Sequence, residues 1–200
     1  MSRMIKESQI NYDSKILDIG SGSGLFLQEL REIGFNDLDG LELFIEKEID
    51  ENGVKIYISY IEDFNPDKTY DLIFFKDSLE HMENPLEDLK KVREWLNEEG
   101  YIIITIPVKT EYFYNLYGVN WFQLDAPCHF ITFSLEGFKR MISNLKLDIE
   151  EIIFNSDHYS VIISEDYLKG NDMYSKDFFL QKIFLKIRLE KDLKKLMWKN

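Results

Sequence analysis

Three glycines at alternating positions, Gly20, Gly22 and Gly24, follow directly on the run Lys15-Ile-Leu-Asp-Ile19 and precede a stretch, 25–33, whose apolar spacing is helical and ends at Gly34. An apolar pentapeptide of this kind reads as a buried strand. Glycine is the residue that admits positive φ and a close approach of a ligand to the backbone. Strand, glycine turn and helix in this order constrain the chain strongly, because the helix start presents unpaired N–H groups to whatever lies over the turn. A tight strand-to-helix connection with no ligand is the other use of such a turn, so its surroundings must decide.

Downstream the alternation continues. Segments 38–43, 54–58 and 70–75 predict three further strands, the last an almost continuous apolar run, Tyr70-Asp-Leu-Ile-Phe-Phe75. Runs of that type belong in a sheet covered on both faces. Pro85 opens a predicted helix over 85–97, with Leu86, Leu89, Val92 and Leu96 at turn spacing, and Gly100 separates it from a strand over 101–106. After Pro107 an aromatic stretch, 112–133, leads to a helix over 135–144 and two late strands, 147–154 and 159–164, expected to complete the sheet as an antiparallel hairpin. The fold class is therefore α/β, a doubly wound, seven-stranded and mostly parallel sheet, with its ligand at the carboxyl ends of the strands. The expected organisation is a single domain over 1–175, with an amphipathic helix within 176–200 packed on it.

Composition excludes several function classes. A formal charge of −13 disfavours a nucleic-acid partner, because a phosphate backbone is held by clustered Lys and Arg. No apolar run reaches the roughly 18 residues a membrane span needs, and the first residues lack a basic region followed by an apolar block. The lone cysteine, Cys128, has no companion for a disulfide or at metal-ligand spacing, so a reducing cytoplasm and no metal site are expected. A small-molecule substrate is the remaining expectation.

Glu42 ends the second predicted strand, where a carboxylate can accept hydrogen bonds from two ribose hydroxyls. Taken together, Leu17-Asp-Ile-Gly-Ser-Gly-Ser-Gly24, then Gly40-Leu-Glu42, Tyr70-Asp-Leu-Ile73 and Asp77-Ser-Leu-Glu-His81, resemble the class I S-adenosylmethionine-dependent methyltransferases over residues 13–165. The resemblance implies a Rossmann-like sheet and S-adenosylmethionine as cofactor. It implies that the turn from Asp18 to Gly22, with Gly20 and Ser21, holds the methionine part, that Glu42 holds the ribose and Leu43 flanks the adenine, and that Gly24 belongs to the cofactor-binding set. Tyr60-Ile-Glu-Asp-Phe64 is similar to the adenine-contacting loop, which adds the Ile61 backbone and Glu62 to the cofactor set, and Lys76 joins it at the end of the fourth predicted strand. The spacing Gly-x-Gly-x-Gly departs from the Gly-x-Gly-x-x-Gly of nicotinamide enzymes, a rival reading. A catalytically silent S-adenosylmethionine-binding module is the rival of another kind, since turn and Glu42 look the same in it.

Two histidines are candidates for catalysis. His81, just beyond the fourth predicted strand, would face the methyl group in this fold, where an imidazole can take a proton from the acceptor; alternatively Glu80-His81 orients the following loop. His129, beside Pro127 and Cys128, has the same two readings, and His158 is expected to be solvated. Tyr112, Phe113, Tyr114, Tyr117, Trp121 and Phe122 either line a substrate pocket or fill a core. The segment from Trp121 to His129, with Phe133-Ser134 and Ser164-Glu-Asp-Tyr167, resembles a subgroup that modifies sugars, surface-polysaccharide precursors or small metabolites. Residues 176–200 carry eight basic side chains against three acidic ones, a local +5 on a remainder of −18. Packing on the domain, a homodimer contact or peripheral docking on an anionic membrane are the uses considered for this basic, amphipathic helix.

Overall fold

The computed structural model describes residues 10–154 and 158–171. It divides into two compact units, one of residues 1–108 and 127–150, the other of residues 109–126 and 151–200. The basic terminal helix expected within 176–200 lies outside the described residues.

The first unit is built on a six-stranded sheet. Its strands are β1 (Lys15–Ile19), β2 (Asp37–Glu42), β3 (Ile49–Glu51), β4 (Val54–Ile58), β5 (Tyr70–Lys76) and β6 (Leu96–Thr105). They lie in the order β3-β4-β2-β1-β5-β6. Every neighbouring pair is parallel except β3 and β4, which form an antiparallel hairpin. From β1 the chain winds outward through β2 and β4 on one side and through β5 and β6 on the other. The reversal falls between β1 and β5, the position at which ligands bind in open sheets of this type.

Burial of β1 from Ile16 to Ile19 explains why its sequence is nearly all apolar. Alternate residues serve opposite faces. Leu17, Ile19, Leu41, Ile73 and Phe75 pack with Leu89, Val92 and Trp95 of the α2 region (helix Pro85–Glu94) and with Ile142 of α4 (Leu135–Asn144). Ile16, Leu38, Ile56, Leu72 and Phe74 pack with Phe26, Leu27 and Leu30 of α1 (Leu25–Glu32). Helices thus cover both faces, as the apolar runs require. Residues 85–97 were expected as one helix, but it stops at Glu94 with Trp95 as its cap, and strand pairing begins at once with Leu96 opposite Tyr70.

The second unit contains α3 (Glu111–Tyr117), capped by the Thr110 side chain, which accepts from the Phe113 N–H, and α5 (His158–Leu168). Here the expectation of a late hairpin is overturned. Residues 147–154 form no strand, and 159–164 lie inside α5, so the described sheet has six strands and no terminal hairpin. The β-branched run Val161-Ile-Ile163 carries the strand signal, yet burial falls on Ser160, Ile163 and Ser164, a helical spacing. Ser164 Oγ satisfies itself by donating to the Ser160 carbonyl at 2.6 Å, one turn back, and accepts the Phe122 N–H at 2.9 Å. Tyr117 and Trp121 are buried, so these two members of the aromatic stretch serve a core, whereas Tyr112 and Tyr114 are exposed.

Candidate functional site

Because β1, β2, β4 and β5 run parallel, the segments leaving their carboxyl ends emerge along one edge of the sheet. The glycine turn, Leu43 and Phe44, residues 59–64, and Lys76 to His81 all leave from that edge.

The turn is pinned to the neighbouring strand: the N–H groups of Gly20 and Ser21 both donate to the Leu41 carbonyl, at 2.8 and 3.2 Å. Gly20 has φ +78°, and a Cβ there would meet Ser78 Cβ at 2.5 Å, so only glycine fits. Ser78 takes this place because its Oγ donates to the Ile19 carbonyl at 2.6 Å, tying the start of the β5 loop to the end of β1. Gly22 differs: at φ +55° a Cβ would meet nothing within 4 Å. Its constraint comes from backbone conformation and from the space in front of it, which is where a ligand would lie.

Glu42 closes the turn. Its Oε2 accepts the Gly22 N–H at 2.9 Å, and its Oε1 accepts the N–H groups of Leu43 and Phe44 at 2.8 and 2.9 Å. About four lone-pair sites are available on a carboxylate, so three are engaged by backbone. Glu42 therefore organises both sides of the cradle and keeps limited capacity for ribose hydroxyls.

Two buried carboxylates lie in adjacent strands, with opposite circumstances. Asp39 in β2 accepts from Tyr70 Oη and from Lys68 Nζ, both at 2.8 Å. Asp18 in β1 has Oδ1 buried without a hydrogen-bond partner, and Ser21 Oγ is in the same position. Burial pushes the Asp18 carboxyl up to about 7, with Lys76 opposing and Glu42 reinforcing the rise. An unpaired buried carboxyl is costly unless a cationic or donor group completes it. Lys76 itself is exposed, its ammonium 4.9 Å from the Phe26 ring centroid.

The adenine-side candidates divide. Ile61 is buried in the core cluster with Leu41 and Ile73, leaving its backbone for recognition, and the Glu62 side chain is exposed while its carbonyl accepts from Lys91 Nζ.

On the other side of the turn, β5 is followed by Asp77, which has φ +51°, a rare backbone state for a non-glycine residue. The chain then makes one short helical turn, Leu79–His81. His81 Nδ1 lies 2.9 Å from the Cys128 carbonyl. A carbonyl only accepts, so Nδ1 carries the proton and Nε2 of the neutral ring keeps its lone pair. The His129 ring stands 4.7 Å from the His81 ring, centroid to centroid, and His129 Nε2 lies 4.0 Å from Glu80 Oε1. Glu80 is almost wholly buried, and burial pushes its carboxyl above the ordinary range, opposed by its own backbone N–H and by His129. The Glu80 carbonyl accepts from the N–H groups of Phe130 and Ile131, at 2.9 and 3.3 Å, which holds the 127–131 segment against the end of β5. Both histidines stand out in the sequence but their meeting does not, and neither does the packing of Ser78 against Gly20. Only the collision it would make with a Cβ on Gly20 reveals Ser78.

S-adenosylmethionine fits these residues: Asp18 Oδ1 and Ser21 Oγ supply unpaired polar atoms, and Gly22 leaves open space. Asp18 would hold the ammonium, the turn the methionine chain and Glu42 the ribose. When bound, that cofactor supplies a sulfonium-activated methyl group. A doubly wound sheet with such a cradle at its reversal defines the class I S-adenosylmethionine-dependent methyltransferases. The chain belongs to the methyltransferase domain family, whose model it matches over residues 2–152. It is 27% identical over 175 residues to the ubiquinone biosynthesis O-methyltransferase of Rickettsia bellii, covering 80% of this chain and 73% of that protein. The enzyme of the same name from Rickettsia conorii is 30% identical over 151 residues, covering 69% of this chain and 52% of that one. Among solved structures, the YcgJ protein of Bacillus subtilis superposes with a TM-score of 0.64 at 18% identity, covering 90% and 80% of the two chains. The plantazolicin methyltransferase BpumL, solved with S-adenosylhomocysteine, gives 0.59 at 18% identity, over 89% and 70%. These two show the shared fold. No helix among the described residues is long and apolar enough to cross a membrane.

Proposed function

We propose that this methyltransferase acts on a hydroxyl oxygen of a small molecule, engaged at His81. The observation that carries the reading is the tautomer of His81: with Nδ1–H held by the Cys128 carbonyl, Nε2 offers a lone pair from an exposed ring beside the strand end that follows the cradle. The relatives named as O-methyltransferases support oxygen as the acceptor. Methyl transfer is an in-line displacement in which positioning supplies much of the acceleration, and the acceptor must also lose a proton. Both a phenolic acceptor and a sugar or surface-polysaccharide precursor fall within this reading, which is why the panel must hold each.

The test is release of S-adenosylhomocysteine from that panel, followed by His81→Ala on the acceptor that turns over. A fall of about 10² to 10⁴ in kcat with unchanged cofactor affinity is expected. Turnover within a few-fold of the parent would make His81 structural, and no turnover on any acceptor favours the silent binding module. We further place the enzyme in the cytoplasm, as its exposed unpaired Cys128 fits a reducing compartment. Homodimer formation and peripheral membrane contact, assigned to residues 176–200, are open to one deletion. Loss of dimer or of thermal stability supports packing, and loss of sedimentation with anionic vesicles supports docking.

A further inference from the structure

Nothing in the spacing of His, Cys, Asp and Glu along the chain marks a metal site, yet the fold brings three candidate ligands together. Glu80 and His81 are adjacent at the end of β5, and His129 arrives 48 positions after His81 on the segment stapled to the Glu80 carbonyl. Each of the three offers a ligand atom, and these atoms lie within 4.8 Å of one another. Two features distinguish this cluster from an incidental one. The Glu80 side chain is 1% exposed, and its Oε2 has no hydrogen-bond partner. A buried carboxylate oxygen left unpaired in this way calls for a cation or donor. His81 already makes the contact that orients a metal-ligating imidazole, since its Nδ1–H is held by the Cys128 backbone carbonyl and Nε2 is left as the donor atom.

We propose that Glu80, His81 and His129 bind a divalent first-row transition cation. Two imidazoles and one carboxylate suit Mn²⁺, Fe²⁺, Co²⁺ or Zn²⁺, whereas Mg²⁺ and Ca²⁺ take oxygen ligands. Bond lengths of about 2.0–2.2 Å ask the three side chains to rotate inward by a small amount. His81 is exposed, so the coordination sphere is open on that side to a further ligand.

The use of this position rests on the reading of His81 as the acceptor-side group; the cation binding does not. A hydroxyl placed there loses its proton to solvent water at lower pH, because the cation stabilises the oxyanion. Its electron pair then forms the new C–O bond as the sulfonium C–S bond breaks and returns its pair to sulfur. Under this proposal His81 is a ligand, and its replacement removes activation of the acceptor through the cation.

The experiment uses full-length, tag-free protein stripped with chelator and titrated with Co²⁺ or Zn²⁺ alone, followed by visible absorption and calorimetry. One equivalent should bind, with affinity reduced at least tenfold in His129→Ala and in His81→Ala, while S-adenosylhomocysteine affinity stays within a few-fold of the parent. Glu80→Gln adds a third arm, provided its cofactor affinity shows that it is folded. Absence of binding, binding unchanged in both histidine variants, or a preference for Mg²⁺ over Co²⁺ and Zn²⁺ overturns the proposal. Because these readouts need no acceptor, they leave the methyl-transfer reading standing or falling on product release.

Discussion

The cofactor cradle and the Glu80–His81–His129 cluster sit at the ends of neighbouring strands but are built in different ways. The cradle is mostly backbone: a seven-residue stretch pinned to Leu41, with one carboxylate, Glu42, gathering three N–H groups. The histidine cluster is all side chain, drawn from two segments far apart in sequence and joined by the Glu80 carbonyl. A backbone-built site tolerates change in most side chains and almost none in conformation; a side-chain site behaves in the opposite way.

The strongest test of that contrast compares two glycines. Gly20→Val should destabilise the fold itself, since the new side chain meets Ser78 Cβ at 2.5 Å where φ is +78°. A Cβ on Gly22 meets nothing within 4 Å, so in Gly22→Val thermal unfolding should show chiefly the left-handed backbone cost of roughly 1–2 kcal/mol. Calorimetry should nevertheless find S-adenosylhomocysteine binding abolished; retained binding would remove the ligand from the space before Gly22.

Next in size is Glu42→Ala, which strands three backbone donors. Hydrogen bonds to a charged group are worth about 1.5–3 kcal/mol, so cofactor affinity should fall roughly 10- to 100-fold. An unchanged affinity would mean that the cradle holds its shape without this carboxylate.

A pH series probes Asp18. Burial lifts its carboxyl from the ordinary 3.8 to about 7 in the folded chain. The folded state therefore holds this proton more tightly than the unfolded one, and Asp18 costs stability progressively as pH rises through that window. An ammonium partner favours the carboxylate, so cofactor binding should release a proton near pH 6 and weaken up to tenfold per unit below about 7. Calorimetry in two buffers of different ionisation enthalpy reads the proton directly, and Asp18→Asn should abolish the release.

The smallest effect expected is that of Ser78→Ala, which frees the Ile19 carbonyl at a cost of about 1 kcal/mol in thermal unfolding and keeps the Cβ that excludes a side chain at Gly20.

The same contrast explains what could be read in advance. The five parallel strands and the glycine turn were legible because each is written in contiguous residues: Leu72 to Phe75 is apolar on both faces, Ile16 to Ile19 is so except for Asp18, and the turn places glycine at every second position. The β3 strand was not, because Ile49–Glu51 carries two acidic residues and pairs only by virtue of a turn at Asn52-Gly53. The late hairpin misled because Val161-Ile-Ile163 has strand propensity while Ser160 and Ser164 supply a helical buried row. The meeting of His81 and His129 depends on the path of residues 127–131 after a long excursion, and no local pattern records such a path.

Burial of β1 from Ile16 to Ile19, between β2 and β5, has a consequence for motion. Its amides can exchange with solvent deuterium only when the whole sheet opens, so they should be among the slowest in the chain. The glycine turn begins at the next residue, anchored at one end to this buried central segment. The loop that would grip the cofactor is thus already ordered before any ligand arrives, and little of the affinity is lost in arranging it.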